Sequence, residues 1–486
     1  MGLNLKAIIK IMGAILTILG ISMIPSVIVS LIYDEYDVAI AFIKLLIPIV
    51  IIGILIIRKI DVKRNKLKIR EGFLVVALTW LTASILGAFP FILTGSIDNF
   101  INAFFESTSG FTTTGATILN NVEILPKGLL FWRSFSQWLG AMGILIFAIS
   151  LLPALGISGQ RMAKAETPGP TLNKLVPRMS DSAKILYFIY IIFTIVAFLL
   201  FVAKVNTFDA IILAFSSVAS GGLTNYNNGI AHFNSLYIES ILFIFTLLVC
   251  VNFTLYYNII RGNLRDFFSD RELRAFIGIL ITAIILIATN LWITNTYDSL
   301  GESIRYSVFQ SSSFITTTGH FATDFNQWPS FSKMILFLLM LIGACSSSTG
   351  GGIKVIRVLI LFKLIQRGFY KRLHPRAVVP IKIQDKAVPT ESVTGITSYL
   401  YLYIFIFTLS TLVLSFENID LLTIFSTVAA IINNVGTGLD IIGPMGSFDG
   451  FSAFSKLYLS ILMLVGRLEL FTIVILFTPS FWNPDR

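Results

Sequence analysis

Thr112-Thr113-Thr114-Gly115-Ala116-Thr117 closes a short semi-apolar segment, residues 99–111. That segment is too short to cross a bilayer and too apolar to float in water. Its length is that of a re-entrant element, which enters the membrane and turns back. The arrangement recurs three times. Segments 207–218, 303–315 and 421–432 lead into Ala219-Ser220-Gly221-Gly222-Leu223-Thr224, Thr316-Thr317-Thr318-Gly319 and Asn433-Asn434-Val435-Gly436-Thr437-Gly438. With Gly115, Gly222, Gly319 and Gly436 as equivalents, the spacings are 107, 97 and 117 residues. Aligning Asp209-Ala210 with Asn102-Ala103 selects Gly222 over Gly221. Four near-equal units are a repeat signature. One such run would read as a loop or a close helix contact; four, at one position per unit, make that the lesser alternative.

The rest of the chain fits a membrane repeat. Of 486 residues, 55% are apolar and 13% charged, against about 45–50% and about 25% in soluble domains. Mean hydropathy is +0.84. This composition excludes a soluble globule, a disordered chain and a disulfide scaffold. Cys250 and Cys345 lie in apolar runs and read as inert thiols. Apolar runs cover 7–32, 38–57, 72–93, 129–154, 184–203, 234–260, 275–294, 332–366, 394–415 and 453–478, ten predicted spans. The first is too long for a cleavable signal. The expected fold is an all-α polytopic membrane protein. Four pseudo-symmetric helix–re-entrant loop–helix repeats surround one pore, preceded by two extra transmembrane helices. The expected units are 1–70, 71–183, 184–274, 275–392 and 393–486, the first holding the two extra helices.

The net charge of +10 is mostly topological. Basic residues gather at 58–70, 156–184, 261–274 and 363–392, while the alternate loops are rich in Asp and Glu. The positive-inside rule makes the basic loops and the N-terminus cytoplasmic. No soluble segment is long enough for a nucleic-acid reader, so no such partner is expected.

Re-entrant segments around one axis have a chemical use. Glycine permits positive φ and close backbone approach, and inward-pointing carbonyls replace a cation's hydration shell. Irregular backbone at membrane depth must line water or be buried in protein. Each short helix aims its negative C-terminal end at the axis. No acid lies in the four stretches, which argues for a monovalent rather than a divalent cation. The predicted filter residues are Thr113, Thr114, Gly115, Ser220, Gly221, Gly222, Thr317, Thr318, Gly319, Asn434, Val435 and Gly436.

A second irregular element lies in the overlong run 331–364. Gly343-Ala-Cys-Ser-Ser-Ser-Thr-Gly-Gly-Gly352 sits inside it. Each interior glycine costs a helix about 1 kcal/mol against alanine, and serines compete for backbone bonds. The expectation is a broken helix whose loop plugs the pore, with Gly343, Ser346, Ser347, Ser348, Thr349, Gly350, Gly351 and Gly352 as gate residues. The rival is a small-residue packing face. A phosphate loop is excluded because Lys354 follows Ile353. Arg467 lies inside the last run and marks a pathway or a buried pair. It reads as a fixed charge beneath the filter, bonded to the loop, the alternative being a pair with Glu469. Arg133 reads as a rim residue, and Lys354 and Arg357 as snorkelling to the interface.

The sequence resembles the TrkH/KtrB superfamily of potassium uptake proteins, nearer the TrkH branch. The resemblance rests on Glu106-Ser-Thr-Ser-Gly-Phe-Thr-Thr-Thr-Gly-Ala-Thr117, Ser220-Gly221-Gly222, Ser346-Ser-Ser-Thr-Gly-Gly-Gly-Ile-Lys354 and Gly466-Arg467-Leu468-Glu469, and it spans essentially the whole chain. It implies K⁺ translocation through one pore per subunit of a homodimer in the bacterial inner membrane. It also implies a cytosolic nucleotide-binding regulatory ring of TrkA type. The basic, proline-bearing linkers 156–184 and 363–392 would dock such a ring, the alternative being that they are ordinary positive-inside loops. No covalent cofactor is implied; K⁺ is the cargo. None of the four stretches is the TVGYG of ordinary potassium channels, so softer K⁺/Na⁺ discrimination is expected. The fourth has Asn433-Asn434-Val435 for threonines. His320 stands where an apolar residue is expected and reads as facing the outer vestibule, with a proton-sensitive mouth as the alternative.

The competing functions are a Na⁺-selective or Na⁺/H⁺-coupled symporter, a membrane enzyme and a structural scaffold. His232, His320 and His374 form no metal spacing or catalytic pair, so no enzyme is expected. A scaffold leaves four filters unexplained.

Overall fold

The computed structural model describes residues 3–62, 69–143, 179–384 and 386–483. Most of the linker 156–184, and the end of the run 129–154, lie outside the described residues. Among the described residues, six helices are long and apolar enough to cross a membrane: Leu5–Ile32 (with a turn at Ser22–Met23), Tyr36–Lys59, Ile69–Leu93, Lys184–Val202, Arg271–Ile293 and Thr390–Glu417. The first two pack against one another through Gly13 and Gly53, where a methyl group on either would strike the other helix. The Glu35 carboxylate, just before Tyr36, then caps repeat one by accepting from Lys127 N (2.6 Å) and Gly128 N (2.8 Å).

The four short segments are helices, Phe100–Phe111, Thr207–Ala219, Leu300–Ile315 and Leu421–Ile432. The sequence dictates their starts. Asn99, Asn206, Ser299 and Asp420 each accept a hydrogen bond from a first-turn N–H, as N-cap residues do. Each half-helix leans on the descending helix of the preceding repeat in a closed cycle: Phe100–Phe111 on Ala453–Arg467, Thr207–Ala219 on Lys127–Ala141, Leu300–Ile315 on Leu236–Cys250, and Leu421–Ile432 on Ser330–Leu341.

The descending helices are shorter than their apolar runs. The run 332–366 breaks as expected, into Ser330–Leu341 and Val355–Leu373 with irregular backbone between. The runs 234–260 and 453–478 are not continuous spans. Leu236–Cys250 meets Phe253–Ile260 at 88°, and Ala453–Arg467 meets Phe471–Phe477 at 110°. Asn252 stops the first run by capping the next helix through Thr254 N. Glu469 and Leu470 stop the second by taking left-handed φ of 57° and 56°. The only strands among the described residues are Lys382–Ile383 and Lys386–Ala387, a two-residue ribbon whose Ile381, Ile383 and Val388 pack on Ile356, Ile360 and Val393.

Candidate functional site

The half-helices end three or four residues before Gly115, Gly222, Gly319 and Gly436, and all four close with one geometry. The residue two before each glycine is left-handed: Thr113 (φ 55°), Ser220 (49°), Thr317 (56°) and Asn434 (54°). The next N–H reaches back five residues, Thr114 to Ser109, Gly221 to Ser216, Thr318 to Ser313 and Val435 to Ala430, at 2.8–3.0 Å. This is a Schellman closure, usually made with glycine at the left-handed position. Here β-branched and polar residues hold it at about 1–3 kcal/mol of strain each. The glycines follow with φ of 80°, 80°, 74° and 81°.

The glycines define a ring. A methyl group on Gly115 would strike the Gly221 carbonyl oxygen, one on Gly222 the Thr318 oxygen, one on Gly319 the Val435 oxygen, and one on Gly436 the Thr114 oxygen. Each glycine therefore abuts the carbonyl that precedes the next glycine, and the fourth returns to the first. This is the register expected from the spacing, with Gly222 as the second member. The cavity above the ring is lined by all four glycines with Thr117, Arg133, Thr224 and Thr437 among others.

Side chains brace the ring from behind. Gln137 donates from Nε2 to the Gly221 oxygen and accepts from Leu223 N at 3.4 Å. Asn434 Nδ2 donates to Thr114 Oγ1 (2.9 Å) and Thr437 Oγ1 to the Gly319 oxygen (2.7 Å). Arg133 lines the cavity mouth, as expected of a rim residue, and is buried there. Its Nε and Nη2 donate to Glu106 Oε1 at 2.8 Å and its Nη1 to the Thr224 oxygen at 3.3 Å. Glu106 also accepts from Thr117 Oγ1 (3.0 Å) and Ile118 N (3.0 Å). His320 is absent from the cavity lining and buried, 3.1 Å from the Ser216 hydroxyl, so it does not face the outer vestibule. On the loop side, Tyr226 donates to Asp209 Oδ2 at 2.7 Å, and burial together with that carboxylate pushes its phenol up.

Beneath the ring lies the irregular segment. Ile342 and Ile353 form a parallel bridge, with Gly343 N on the Ile353 oxygen at 3.0 Å. Ser346 N and Oγ both donate to Glu272 at 2.7 Å, and Ile356 N joins at 3.1 Å. Ser347 is left-handed (φ 53°) and accepts from Phe253 N at 3.2 Å, while Ser348 Oγ bonds the Cys345 oxygen at 2.6 Å. Thr349 N bonds the Val249 oxygen at 3.2 Å, and Cys345 N the Cys250 oxygen at 3.1 Å. The top of the segment touches three of the four glycine stretches: Gly351 N donates to Thr317 Oγ1 (2.7 Å), Ser220 Oγ lies 3.2 Å from Thr349 Oγ1, and a methyl on Gly351 would strike the Asn433 oxygen. Gly350 is wedged against Ala344 and Cys250, and Gly352 (φ 71°) against Gly343. Arg467 reaches the segment from the last repeat, donating to the Thr349 oxygen at 2.9 Å and, toward repeat one, to the Gly140 and Ala141 oxygens at 3.0 and 2.7 Å.

Lys354 and Arg357 do not snorkel. Both are buried, Lys354 on the Gly350 oxygen and Arg357 on Glu469 with its guanidinium 3.9 Å from the Tyr399 ring centre. A carbonyl, a carboxylate and an aromatic ring take the place of water. Glu469 is thereby the partner of Arg357, not of Arg467. Gln137 and Glu272 are not singled out by the sequence. Glu106 opens the first resemblance motif, and its bracing role has a signal there, since its place nine residues before Gly115 matches that of Gln310 before Gly319.

A family model described as "TrkH: Cation transport protein" matches residues 40–483. The chain is 37% identical over 485 residues to the "Trk system potassium uptake protein TrkH" of Salmonella typhimurium, covering 99% of this chain and 100% of that one. It is 34% identical over 486 residues to the "Trk system potassium uptake protein TrkG" of Escherichia coli, covering 99% of each. The crystal structure of the potassium transporter TrkH from Vibrio parahaemolyticus superposes with a TM-score of 0.89 at 34% identity, over 99% of this chain and 100% of that one.

Proposed function

Because the chain belongs to the TrkH family of cation transport proteins, we propose that it takes up potassium through a single pore per chain, selected at the four-glycine ring and closed by the 343–352 segment. The closed cycle of glycine-to-carbonyl contacts carries this reading. Thr114, Gly221, Thr318 and Val435 supply one carbonyl each to a layer around the axis, in place of a cation's hydration shell. Thr113, Ser220, Thr317 and Asn434 hold the turn that aims those carbonyls. No carboxylate enters the layer, which suits a monovalent ion.

The gate reading rests on position and on a fixed charge. The segment meets filter residues at its top and Glu272 at its base. Arg467 adds a guanidinium that opposes cation passage while it holds the Thr349 oxygen. The 343–352 loop moves aside for conduction, from serine and glycine joints that resist little. The pore units run 71–183, 184–274, 275–392 and 393–486, with 1–70 buttressing the first. In the cell the chain works as a homodimer in the bacterial inner membrane, N-terminus inside, under a cytosolic nucleotide-binding ring of TrkA type. A negative interior draws each ion inward with about 2.3 kcal/mol per 100 mV.

Radiolabelled rubidium uptake into liposomes holding the purified protein, competed by K⁺, Na⁺ and Li⁺, tests the reading. Strong competition by K⁺ and weak competition by Na⁺ supports it. Equal or stronger competition by Na⁺ replaces it with a Na⁺-selective or Na⁺/H⁺-coupled pathway.

A further inference from the structure

The ring has four junctions, and each carries its own side-chain brace. Gln137 spans repeats one and two, Thr437 spans three and four, and Asn434 spans four and one. Between repeats two and three the brace is His320. The residues following the filter glycines are Ala116, Leu223, His320 and Thr437; the first two are apolar and buried, so the position itself needs no imidazole.

His320 is tied at both ends. Its carbonyl oxygen accepts from Gln310 Nε2 (3.1 Å) and Ser313 Oγ (2.6 Å), both on its own half-helix. Its ring crosses the junction, with Nε2 3.1 Å from the Ser216 hydroxyl. The Ser216 carbonyl in turn receives Gly221 N at 3.0 Å, the bond that closes the second filter turn. The ring Nδ1 is buried with no hydrogen-bond partner among the described residues. Burying an unpaired polar atom is unfavourable, and leucine or alanine, used at the equivalent positions, would avoid it. The one bond the ring does make therefore accounts for its presence.

We infer that His320 is a selectivity-determining positioning residue: through Ser216 it fixes the spacing of the second and third filter turns, and so the size of the carbonyl layer where Gly222 meets Thr318. It acts through backbone and does not touch the ion. The inference rests on the filter reading above. Ring size is one of the terms by which carbonyl layers separate K⁺ from Na⁺, and a junction released on one side widens asymmetrically.

The test is the K⁺/Na⁺ permeability ratio of reconstituted protein, read from reversal potentials, for the wild type, His320→Leu, His320→Gln, Ser216→Ala, the double variant His320→Leu/Ser216→Ala, and Gly319→Ser as the filter control. Loss of the bond is expected to lower the ratio by about three- to tenfold in His320→Leu and in Ser216→Ala. The double variant should fall no further. His320→Gln, whose Nε2 reaches where the imidazole Nε2 sits, should keep most of the ratio. A merely space-filling histidine would not respond to Ser216→Ala. If Gly319→Ser lowers the ratio while His320→Leu and Ser216→Ala leave it unchanged, or if their effects add, the inference is overturned and the filter reading stands. If Gly319→Ser also leaves the ratio unchanged, the filter reading falls and the inference with it. Should His320→Leu fail to insert, Ser216→Ala decides alone, since it removes one oxygen and keeps the histidine.

Discussion

Arg467, near the end of the last descending helix, donates through Nη1 to the Thr349 oxygen at 2.9 Å, 118 residues away in sequence. With Nη2 it also holds the carbonyl end of Lys127–Ala141. One guanidinium thus joins repeats one, three and four beneath the glycine ring. Hydrogen bonds to a charged group contribute about 1.5–3 kcal/mol each. Arg467→Ala removes the bond to the segment and the cationic barrier together. Rubidium flux without any partner protein should rise by about tenfold or more. Flux equal to or below wild type at matched protein level would refute the gate.

Glu272 anchors the other end of the same segment. It accepts from Ser346 N, Ser346 Oγ and Ile356 N, so it fixes the base of the segment and caps the helix that follows. Glu272→Ala leaves two amides without their acceptor, each at about 1–3 kcal/mol. We expect a lower melting temperature together with raised basal flux. Glu272→Gln should fall between, since an amide oxygen accepts only part of that set. Raised flux without a change in melting temperature, or the reverse, would separate the gate from the structural anchor and count against their being one device.

The half-helices and the break in the third descending helix were legible because length and composition encode them. Thirteen apolar residues cannot span, and three consecutive glycines cannot hold a helix. The breaks at Asn252 and at Glu469–Leu470 were not legible. The apolar runs continue through both, and one asparagine or one acid does not outweigh them until tertiary partners accept the bend. The left-handed Thr113 and Thr317 were hidden for a related reason. Threonine disfavours that conformation, so only the closed ring explains its presence there. Lys354 and Arg357 were misread through a rule of thumb: a basic residue in an apolar run is expected to reach for water at the interface, yet a carbonyl and a carboxylate take the place of water.

The ring itself makes a directional prediction. Gly115 and Gly436 sit at φ 80° and 81°, and a methyl on either strikes a neighbouring filter carbonyl. Gly115→Ser displaces the Gly221 oxygen, and Gly436→Ser the Thr114 oxygen. Both should lower K⁺ over Na⁺ preference by about tenfold, the equivalent of about 1.4 kcal/mol. Gly95, also left-handed (φ 68°) but with open space around it, is the control, since Gly95→Ser should leave selectivity unchanged. An identical loss in all three would assign the effect to general misfolding.

The Arg133–Glu106 pair separates folding from conduction. Both side chains are buried, and the carboxylate also collects Thr117 Oγ1 and Ile118 N just past the first filter. Breaking a buried pair by removing one partner costs about 3–5 kcal/mol, because the remaining charge is stranded, whereas replacing both partners is often neutral. Glu106→Gln should therefore lower the melting temperature sharply. Glu106→Gln/Arg133→Met should recover most of that loss, since no buried charge is left unpaired. Selectivity should not recover with it. The Arg133 bond to the Thr224 oxygen and the full carboxylate grip on residues 117–118 are absent from the double variant, so the stretches following Gly115 and Gly222 stay loose in a stable protein. Recovery of both stability and the K⁺/Na⁺ ratio would show that the pair only fills space, and would remove Arg133 and Glu106 from the account of how the filter is held.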